Sequence, residues 1–325
     1  MKARLLDLLA CPACKGNLAL RADQVDGEDT VTGTLTCPAC RATYAIVGGI
    51  PRFVARDSYA ASFGDEWHRF RTVQLDSANG TRESEVGFAL KTGLKPEDVQ
   101  GRLVFDAGVG AGRYAEVMAR WGAEVVGIDL TRAIDAAAEN LRMQPTVHLV
   151  QADIFALPFR DHTFDLAYSI GVLHHTPDAK GAFERIQPLV RPGGFFSIFI
   201  HGQGNRALYA TNRLLRRWTA KASYATTWRF CLLLTGIGKV LEKIPFVGPV
   251  VYLVGRQVLF FSPDQHNNFD HFSAGFTSFH RKEEIRGWYA GWDDVAVRYA
   301  GVASESIYAR GARPVATAGA GAQRL

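Results

Sequence analysis

The stretch that decides the fold is Asp106-Ala107-Gly108-Val109-Gly110-Ala111-Gly112. It follows an apolar run at 103–105 and precedes a helical pattern at 113–121. Glycines have no Cβ, so a strand that ends in them lets backbone N–H groups approach a ligand closely. The helix N-terminus that follows adds a partial positive charge. The loop therefore predicts a site for a carboxylate or a phosphate.

Apolar runs recur along the chain, and each ends at a polar residue or a turn. They occupy residues 103–105, 124–128, 148–152, 164–169 and 195–200. Asp129 ends the second run about 20 residues beyond the glycines, where a nucleotide-type ligand has its ribose hydroxyls. Asp153 ends the third run, where it could accept a hydrogen bond from an adenine amine. Strands alternating with helical segments predict an α/β fold with a doubly wound, mostly parallel sheet.

The glycine spacing allows two interpretations. A dinucleotide fingerprint reads Gly-x-Gly-x-x-Gly, whereas this loop reads Gly-x-Gly-x-Gly after Asp106. That acid would repel a pyrophosphate and would favour a cation such as the amino group of an amino acid. From residue 101 to 201 the chain resembles the class I S-adenosylmethionine-dependent methyltransferases of the small-molecule type. Within that range, the segments 157–159, 171–175 and 191–194 share in the resemblance. The alternative is a glycine turn in an unrelated Rossmann-like sheet.

The resemblance implies a Rossmann-like sheet of seven strands that binds S-adenosylmethionine as its cofactor. In that family the first acid and the glycines hold the methionine part, the second acid holds the ribose, and the third marks the adenine. The residues here that would bind the cofactor are Asp106, Gly108, Gly110, Gly112, Asp129, Leu130, Asp153, Ile154 and Ser169.

Two Cys-x-x-Cys pairs near the N-terminus form a separate motif. Cys11, Cys14, Cys37 and Cys40 have the paired spacing of a tetrahedral four-thiolate zinc site. Disulfides are the alternative. The first residues do not resemble a signal peptide, so we expect a cytoplasmic chain whose thiols stay reduced and bind a structural zinc.

The sequence around these cysteines resembles the small zinc-ribbon domain that activates tRNA and rRNA methyltransferases. The similarity covers about the first 55 residues and includes 5–10 and 44–51. That domain also occurs fused ahead of bacterial methyltransferase domains. The resemblance implies a ribbon that braces the catalytic domain, with RNA docking as the alternative.

Composition and spacing divide the rest of the chain. The 325 residues, 47% of them hydrophobic, can bury one full core and a small satellite domain. The net charge of +5 permits an anionic partner without requiring one. We predict a zinc ribbon at 1–56, a helical linker or cap at 57–100, a methyltransferase domain at 101–310, and a disordered tail at 311–325. In the linker, Phe63, Trp67 and Phe70 are core residues or a cover over the cofactor.

A helical insertion is predicted at 202–261, between the fifth strand and the last two. Its first part is basic and its second part is apolar, but charges and prolines interrupt every run before it could span a bilayer. Two interpretations remain for residues 206–261. They form a cap that packs on the core, or a surface that rests peripherally on an anionic membrane or receives a lipid-like acceptor.

Methyl transfer chiefly requires an acceptor aligned with the activated methyl group, and a hydroxyl acceptor also needs a base. His174 and His201 follow the fourth and fifth strands, so they are the candidate catalytic residues. The Asn-Pro-Pro-Tyr motif typical of adenine and glutamine N-methylation is absent after the fourth strand, where 169–172 reads Ser-Ile-Gly-Val. We therefore predict a methyltransferase acting on a small or lipid-like metabolite. The alternatives are an rRNA or tRNA methyltransferase, with nucleic acid the less favoured partner, and a non-enzymatic binding protein.

Overall fold

The computed structural model describes residues 1–54, 72, 74–203, 206–219, 221–255, 259–262, 265–273, 276–300 and 306–315. The predicted linker at 57–100 is described mainly from residue 74 onward, and Phe63, Trp67 and Phe70 lie outside the described residues. The part of the predicted tail at 316–325 also lies outside them.

The N-terminal unit is a helix followed by an antiparallel ribbon. It consists of α1 (Ala3–Leu8), β1 (Ala19–Asp26), β2 (Asp29–Thr36), β3 (Thr43–Val47) and β4 (Ile50–Arg52). Leu5 and Leu8 of α1 are buried against the core, which fixes the ribbon on the rest of the chain. Three short helices come next: α2 (Asp76–Asn79), α3 (Glu83–Thr92) and α4 (Pro96–Val99).

Strands and helices then alternate. The elements are β5 (Leu103–Ala107), α5 (Arg113–Arg120), β6 (Glu124–Asp129), α6 (Ala133–Asn140), β7 (Val147–Gln151), β8 (Phe164–Ile170), α7 (Ala179–Ile186) and β9 (Val190–His201). The insertion predicted at 202–261 contributes α8 (Arg206–Thr219), α9 (Tyr224–Glu242) and α10 (Val247–Gly255). Helix α11 (Gln265–Ser273) lies beyond those bounds but packs with these helices, so we refer to residues 202–273 as the insertion from here on. The chain closes with α12 (Lys282–Trp288), β10 (Asp293–Tyr299) and β11 (Ser306–Ala312).

One sheet runs through the described residues in the order β1-β2-β3-β4-β7-β6-β5-β8-β9-β11-β10. Pairing is parallel from β7 to β9, and β11 lies antiparallel between β9 and β10. The predicted α/β fold with a doubly wound, mostly parallel sheet is confirmed, and strands β5 to β11 supply its seven core strands. The carboxyl ends of β5, β6, β7 and β8 meet at one end of this sheet.

The ribbon is part of this sheet. Strand β4 pairs in parallel with β7 at Arg52 and Gln151, and the Phe53 N–H donates to the Gln151 carbonyl at 2.8 Å. Arg52 also donates to the Gln151 side chain at 3.1 Å and forms an ion pair with Asp135 at 2.5 Å. The predicted ribbon at 1–56 therefore extends the core sheet.

Helix α3 covers the sheet behind the glycine loop. Its Phe88 is fully buried and lies 5.0 Å from Tyr168 and 5.7 Å from Trp121, ring centroid to ring centroid. Burial of such a side chain contributes about 1.5–3 kcal/mol. This part of the predicted linker therefore packs in the core, next to the tyrosine that contacts Asp106.

The last strand continues past the predicted domain end at 310. It runs to Ala312, and the Arg313 N–H then donates to the Gly194 carbonyl at 2.8 Å. A Cβ on Gly311 would lie 2.7 Å from the Tyr289 ring, so the small residue is required by packing. Residues 311–313 therefore form the closely packed end of the sheet, although the glycine and alanine content of 311–325 predicts a disordered tail.

The insertion has a small core of its own. Cys231, Leu234, Phe261, Phe269 and Phe272 are buried together, which accounts for the fifth cysteine as an apolar side chain. Within the described ranges, no helix combines the length and the hydropathy that crossing a membrane requires.

Candidate functional site

The glycine loop forms the floor of the candidate site at the end of β5. Gly108, Gly110 and Gly112 have φ angles of 102°, 54° and 95°, which residues with a Cβ rarely adopt. A Cβ on Gly108 would lie 2.3 Å from Val172, and one on Gly112 would lie 2.6 Å from Leu141. The loop therefore requires glycine for both its backbone conformation and its close packing.

Asp106 lies beneath this loop and is buried. Its Oδ2 atom accepts a hydrogen bond of 2.7 Å from the Tyr168 hydroxyl. Burial raises the pKa of Asp106 to about 7, with a smaller contribution from the Asp129 charge, while the Tyr168 hydrogen bond opposes the rise. A carboxylate held in this way would be stabilised in its charged form by a bound cation.

Asp129 ends the neighbouring strand β6 and turns toward the same loop. Its Oδ2 atom accepts from the Gly110 N–H at 3.0 Å, and its Oδ1 atom accepts from the N–H and the hydroxyl of Thr131 at 2.8 and 2.7 Å. Burial raises the pKa of Asp129, and these hydrogen bonds oppose the rise. Oδ1 already accepts two hydrogen bonds, whereas Oδ2 accepts one, so Oδ2 keeps a lone pair for a ligand hydroxyl.

Asp153 and Ile154 follow β7, the next strand. Asp153 caps the short 3-10 helix Ile154–Ala156 by accepting from the Phe155 N–H at 2.9 Å, and Ile154 is buried. Leu130, after β6, is half-buried, and its carbonyl accepts from the Gln151 side chain at 3.1 Å. These residues therefore stand at the same end of the sheet as Asp106 and Asp129.

Ser169, also predicted to bind the cofactor, lies inside the sheet. Its side chain is fully buried, and its hydroxyl donates to the Ala107 carbonyl at 2.8 Å. The hydroxyl therefore faces the neighbouring strand within the sheet, and contact of Ser169 with a cofactor stays a prediction. Ser169 fixes β8 against β5 directly behind the glycine loop.

The two candidate catalytic histidines lie against each other. The rings of His174 and His201 stack with centroids 3.8 Å apart, and His174 Nδ1 accepts from the His201 N–H at 3.4 Å. Burial lowers the pKa of both imidazoles well below the usual range, and neighbouring histidines add to the effect. Both rings are therefore neutral at pH 7, where they can accept a proton but only as weak bases.

Three further histidines surround this pair. His175 lies 4.2 Å from His174, and His271 lies 5.7 Å from His201, ring centroid to centroid. His280 N–H donates to the His201 carbonyl at 3.0 Å. The sequence does not reveal this gathering, since the five residues are spread over more than a hundred positions. The bridge between Gly202 and His280 and the hydrogen bond from the Ser278 N–H to the His174 carbonyl bring the chain near residue 280 beside the ends of β8 and β9.

His280 is the member of this histidine cluster with an acidic partner in the described part of the chain. Its Nδ1 atom lies 2.7 Å from a Glu284 carboxylate oxygen, and its Nε2 atom lies 2.8 Å from the Ser278 hydroxyl. With Glu284 ionised, Nδ1 carries the proton and Nε2 accepts from Ser278. Because Glu284 orients its ring, His280 is better oriented to act as a base than His174 and His201, the two residues predicted for that role from the sequence.

The four ribbon cysteines form a second site. The Sγ atoms of Cys11 and Cys40 are 3.6 Å apart, those of Cys14 and Cys37 are 3.4 Å apart, and all four sulfurs lie within 4.8 Å of one another. Zinc–sulfur bonds of about 2.3 Å require sulfurs about 3.8 Å apart in a tetrahedron. The residues therefore fit a zinc ion with a closed, structural coordination shell.

Each cysteine pair sits in the same kind of turn. Cys11 and Cys37 accept at their carbonyls from the N–H groups of Lys15 and Arg41, both at 2.8 Å. Lys15 and Arg41 have positive φ angles of 59° and 63°. Tyr44 adds a contact of 3.3 Å from its hydroxyl to Cys11 Sγ, which the cysteine spacing alone does not reveal.

The ribbon reaches the candidate cofactor site through lysine and backbone contacts. Lys15 Nζ donates to the carbonyls of Leu157 and Phe159 at 2.7 and 3.2 Å, and the Ala10 N–H donates to the Pro158 carbonyl at 2.8 Å. The ribbon therefore holds the segment that directly follows Asp153 and its short helix. These contacts fit the bracing role expected of the ribbon.

Comparison with known proteins agrees with this division. Residues 105–198 match the family described as Methyltransferase domain, and residues 2–49 match the family described as Trm112p-like protein. The chain thus carries a methyltransferase domain behind a Trm112p-like domain, and both predicted resemblances are confirmed. The methyl donor of that first family is S-adenosylmethionine.

Relatives of the methyltransferase domain include proteins named for sterols. Sterol 24-C-methyltransferases of Gibberella zeae and of Saccharomyces cerevisiae are each 28% identical over 152 residues, which cover 45% of this chain and 39% of each relative. The chain therefore spans about two fifths of the length of these curated relatives.

Among solved structures, a complex between the Haloferax volcanii Trm112 methyltransferase activator and a methyltransferase matches 78% of this chain and 97% of that chain. The identity is 14% and the TM-score is 0.47, too low for the likeness to bear on function.

Proposed function

We propose that this chain transfers a methyl group from S-adenosylmethionine to a small or lipid-like acceptor. The observation that carries the proposal is the meeting of Asp106, the glycine loop and Asp129 at one end of the sheet, within the matched methyltransferase domain. Bound S-adenosylmethionine supplies a methyl group already activated by a sulfonium. The protein then needs to bind the cofactor, exclude water and align the acceptor.

Each acid has a separate proposed role. Asp106, buried and easily neutralised, pairs with the cationic amino group of the methionine part. The backbone of the loop around Gly108 and Gly110 lies beside that part, and Asp129 accepts from a ribose hydroxyl at Oδ2. Asp153 stands next to the position of the adenine, with Leu130 and Ile154 as its apolar neighbours.

The histidine cluster is the proposed acceptor side of the site. His174 lies beyond the end of β8, His201 is the last residue of β9, and His280 is joined to His201 by a backbone hydrogen bond. For a hydroxyl acceptor, the Ser278 oxygen would receive the acceptor's proton while Ser278 passes its own proton to His280 Nε2, and Glu284 would stabilise the imidazolium formed. His174 and His201, whose rings are neutral, would line the acceptor pocket; since His174 Nδ1 accepts from the His201 N–H, the Nε2–H of His174 would donate to the acceptor.

A lipid-like acceptor is favoured by the relatives, whose names are those of sterol and cycloartenol methyltransferases. Such acceptors reside in bilayers, but the methyl transfer proposed here does not depend on the predicted peripheral membrane contact through residues 206–261. The test is calorimetry with S-adenosylmethionine, followed by transfer of labelled methyl from the cofactor into lipid extracts and into aqueous metabolites. Label in neither fraction would refute the proposed activity.

Asp129→Ala tests the cofactor site directly. Loss of hydrogen bonds to a charged group, at about 1.5–3 kcal/mol each, should weaken S-adenosylmethionine binding at least tenfold. Asp165→Asn is a matched control, because Asp165 is a buried acid on β8 at the opposite end of the sheet, where it accepts from the Leu103 N–H at 2.8 Å. Equal affinity in both variants, with both folded, would contradict the ribose role.

An RNA acceptor is the second candidate, favoured by the Trm112p-like match. The ribbon offers few available cations in its described residues. Lys15 is engaged by core carbonyls, Arg21 pairs with Asp23 at 3.3 Å, and Arg41 is exposed. RNA binding through phosphates falls steeply with salt, so activity on RNA that survives moderate salt would point to another mode of recognition. Methylation that persists after ribonuclease treatment would exclude RNA as the acceptor.

A further inference from the structure

We propose that the tip of the insertion is a docking surface for an anionic lipid bilayer. The docking surface is the outer face of the α9–α10 hairpin, which presents Leu233, Ile237, Val240, Phe246, Val250 and Val254. The proposal concerns where the chain binds, and it stands apart from the methyl transfer proposed above.

The exposure of this face is unusual for apolar side chains. Phe246, in the turn between the helices, is 91% exposed, and Leu233, Val240 and Val254 are 60–63% exposed. Cys231 and Leu234, on the other side of α9, are buried against the insertion core. One face of the hairpin is therefore buried in the insertion core, and the other face exposes a contiguous apolar area to water.

The hairpin is preformed. A Cβ on Gly248 would lie 1.9 Å from the Leu241 carbonyl oxygen, so α10 packs against the end of α9 at backbone distance. Phe246 adopts a positive φ of 62°, which turns the chain between the two helices and leaves its ring outside the hairpin. The apolar residues are therefore held in one orientation before any partner arrives.

Charge identifies the partner. Residues 206–255 contain eight Lys and Arg and a single acid, Glu242, which gives this segment a net charge of +7. The whole chain carries +5, so the remainder carries −2. Arg216 is buried and donates to the His271 carbonyl, whereas the described exposed cations of the segment are Arg213, Arg217, Lys221, Arg229, Lys239 and Lys243. Exposed cations beside exposed apolar groups are the combination that holds a helix on anionic headgroups.

Helix α8 extends the same character. Its Leu214 and Trp218, one turn apart, are 65% and 51% exposed, and Arg213 and Arg217 beside them are exposed too. The helices of the described chain do not meet the length and hydropathy needed to cross a bilayer. The surface would therefore rest at the headgroup level, with the arginines and lysines around the apolar side chains.

The root of the insertion leads to the histidine cluster. Tyr209 of α8 contacts Phe279, with ring centroids 5.2 Å apart, and Phe279 stacks on His201 at 5.5 Å. A bilayer bound at the tip would bring dissolved molecules near the proposed acceptor side. This last step rests on the proposed function, whereas the docking surface itself does not.

The test is flotation of the full chain with vesicles of phosphatidylcholine alone, and of phosphatidylcholine mixed with an equal amount of phosphatidylglycerol. We expect binding to the mixed vesicles and little to phosphatidylcholine. Phe246→Glu should weaken binding at least about tenfold, since a phenylalanine side chain leaves the apolar layer. Met143→Glu is the matched control, because Met143 is 79% exposed but lies outside the insertion.

A second pair of variants separates local from total charge. Lys239→Glu with Lys243→Glu should weaken binding by at least about fivefold for each residue changed. Lys95→Glu with Arg142→Glu alters the net charge equally at exposed positions elsewhere and should leave binding unchanged. Equal effects of the two pairs would overturn the docking surface in favour of general charge attraction.

Two further outcomes would overturn the proposal. The first is no flotation with mixed vesicles by a chain that binds S-adenosylmethionine normally, and this would leave the proposed function intact. The second is concentration-dependent dimerisation in ultracentrifugation that Phe246→Glu abolishes without any lipid binding, which would make the face a contact between two copies. Conversely, vesicle binding without cofactor binding would support the surface and refute the enzyme.

Discussion

Cofactor affinity should depend on pH through Asp106. The carboxyl is buried with a pKa of about 7, and it is the proposed partner of the cationic amino group. A cation binds the ionised form, so affinity is full above this pKa and falls as the carboxyl gains its proton. With the pKa near 7 in the free protein, binding should weaken about tenfold from pH 8 to pH 6, and about tenfold more by pH 5.

Calorimetry at a series of pH values measures this directly. Repeating the titration at pH 6 in buffers of different ionisation enthalpy should reveal about one proton released per cofactor bound. Asp106→Asn keeps an oxygen for the Tyr168 hydroxyl but carries no charge, so its affinity should be low and nearly independent of pH. Asp165→Asn should retain the wild-type profile. A flat wild-type profile, or the same slope in Asp106→Asn, would refute the assignment of the cation to this acid.

Three further predictions concern the metal, the loop and the ribbon contact. Cys14→Ser should lose the bound zinc measured by mass spectrometry, whereas Cys231→Ser should keep it, and full zinc in both would contradict the four-thiolate site. Gly108→Ala should lower the free energy of unfolding, measured with denaturant, by about 2–5 kcal/mol, because it adds backbone strain and a clash. Gly171→Ala, with φ of 79° and open space around it, should lower that free energy by only about 1–2 kcal/mol. Equal losses in the two variants would contradict the close packing at Gly108. Lys15→Met should destabilise by about 1–3 kcal/mol while zinc is retained, and unchanged stability would show that its carbonyl contacts are weak.

The core of the fold could be predicted because its signals are local. Alternating apolar runs and the glycine loop at Gly108–Gly112 specify a strand, a tight turn and a helix within a few residues of one another. The spacing of the acids at Asp106 and Asp129 follows from parallel strands whose ends meet. The paired cysteines likewise specify a zinc site locally, since each Cys-x-x-Cys turn spans only four residues.

Other features depend on distant pairing, which one sequence does not show. The hydroxyl of Ser169 faces Ala107 because β8 lies beside β5, a neighbour 62 residues earlier in the chain. Lys15 contacts carbonyls 142 and 144 residues away, and nothing near it in sequence indicates that role. The domain boundaries and the contacts of the cofactor with individual residues stay predictions.

The tail illustrates how composition misleads. The rings of Tyr289 and Trp292 pack closely against the strand at Gly311, which leaves room only for a small residue there. A sequence rich in glycine and alanine looks the same whether it forms such a packed strand or a disordered tail. The insertion shows the reverse problem. Its hydrophobic residues predict burial in general, but only the fold separates the buried Cys231 side of α9 from the exposed Leu233 side.

The pairing of β4 with β7 has a consequence for how the chain fails. Without the ribbon, β7 would expose the backbone groups that the ribbon now contacts. These include the Gln151 carbonyl, which accepts from Phe53, and the Val147 carbonyl, which accepts from Lys2. An exposed strand edge is a template for association between molecules. Chelation of the zinc should therefore do more than loosen a small domain. It should expose that edge of β7, and the chain should then self-associate. The measurement is turbidity, which should rise with protein concentration.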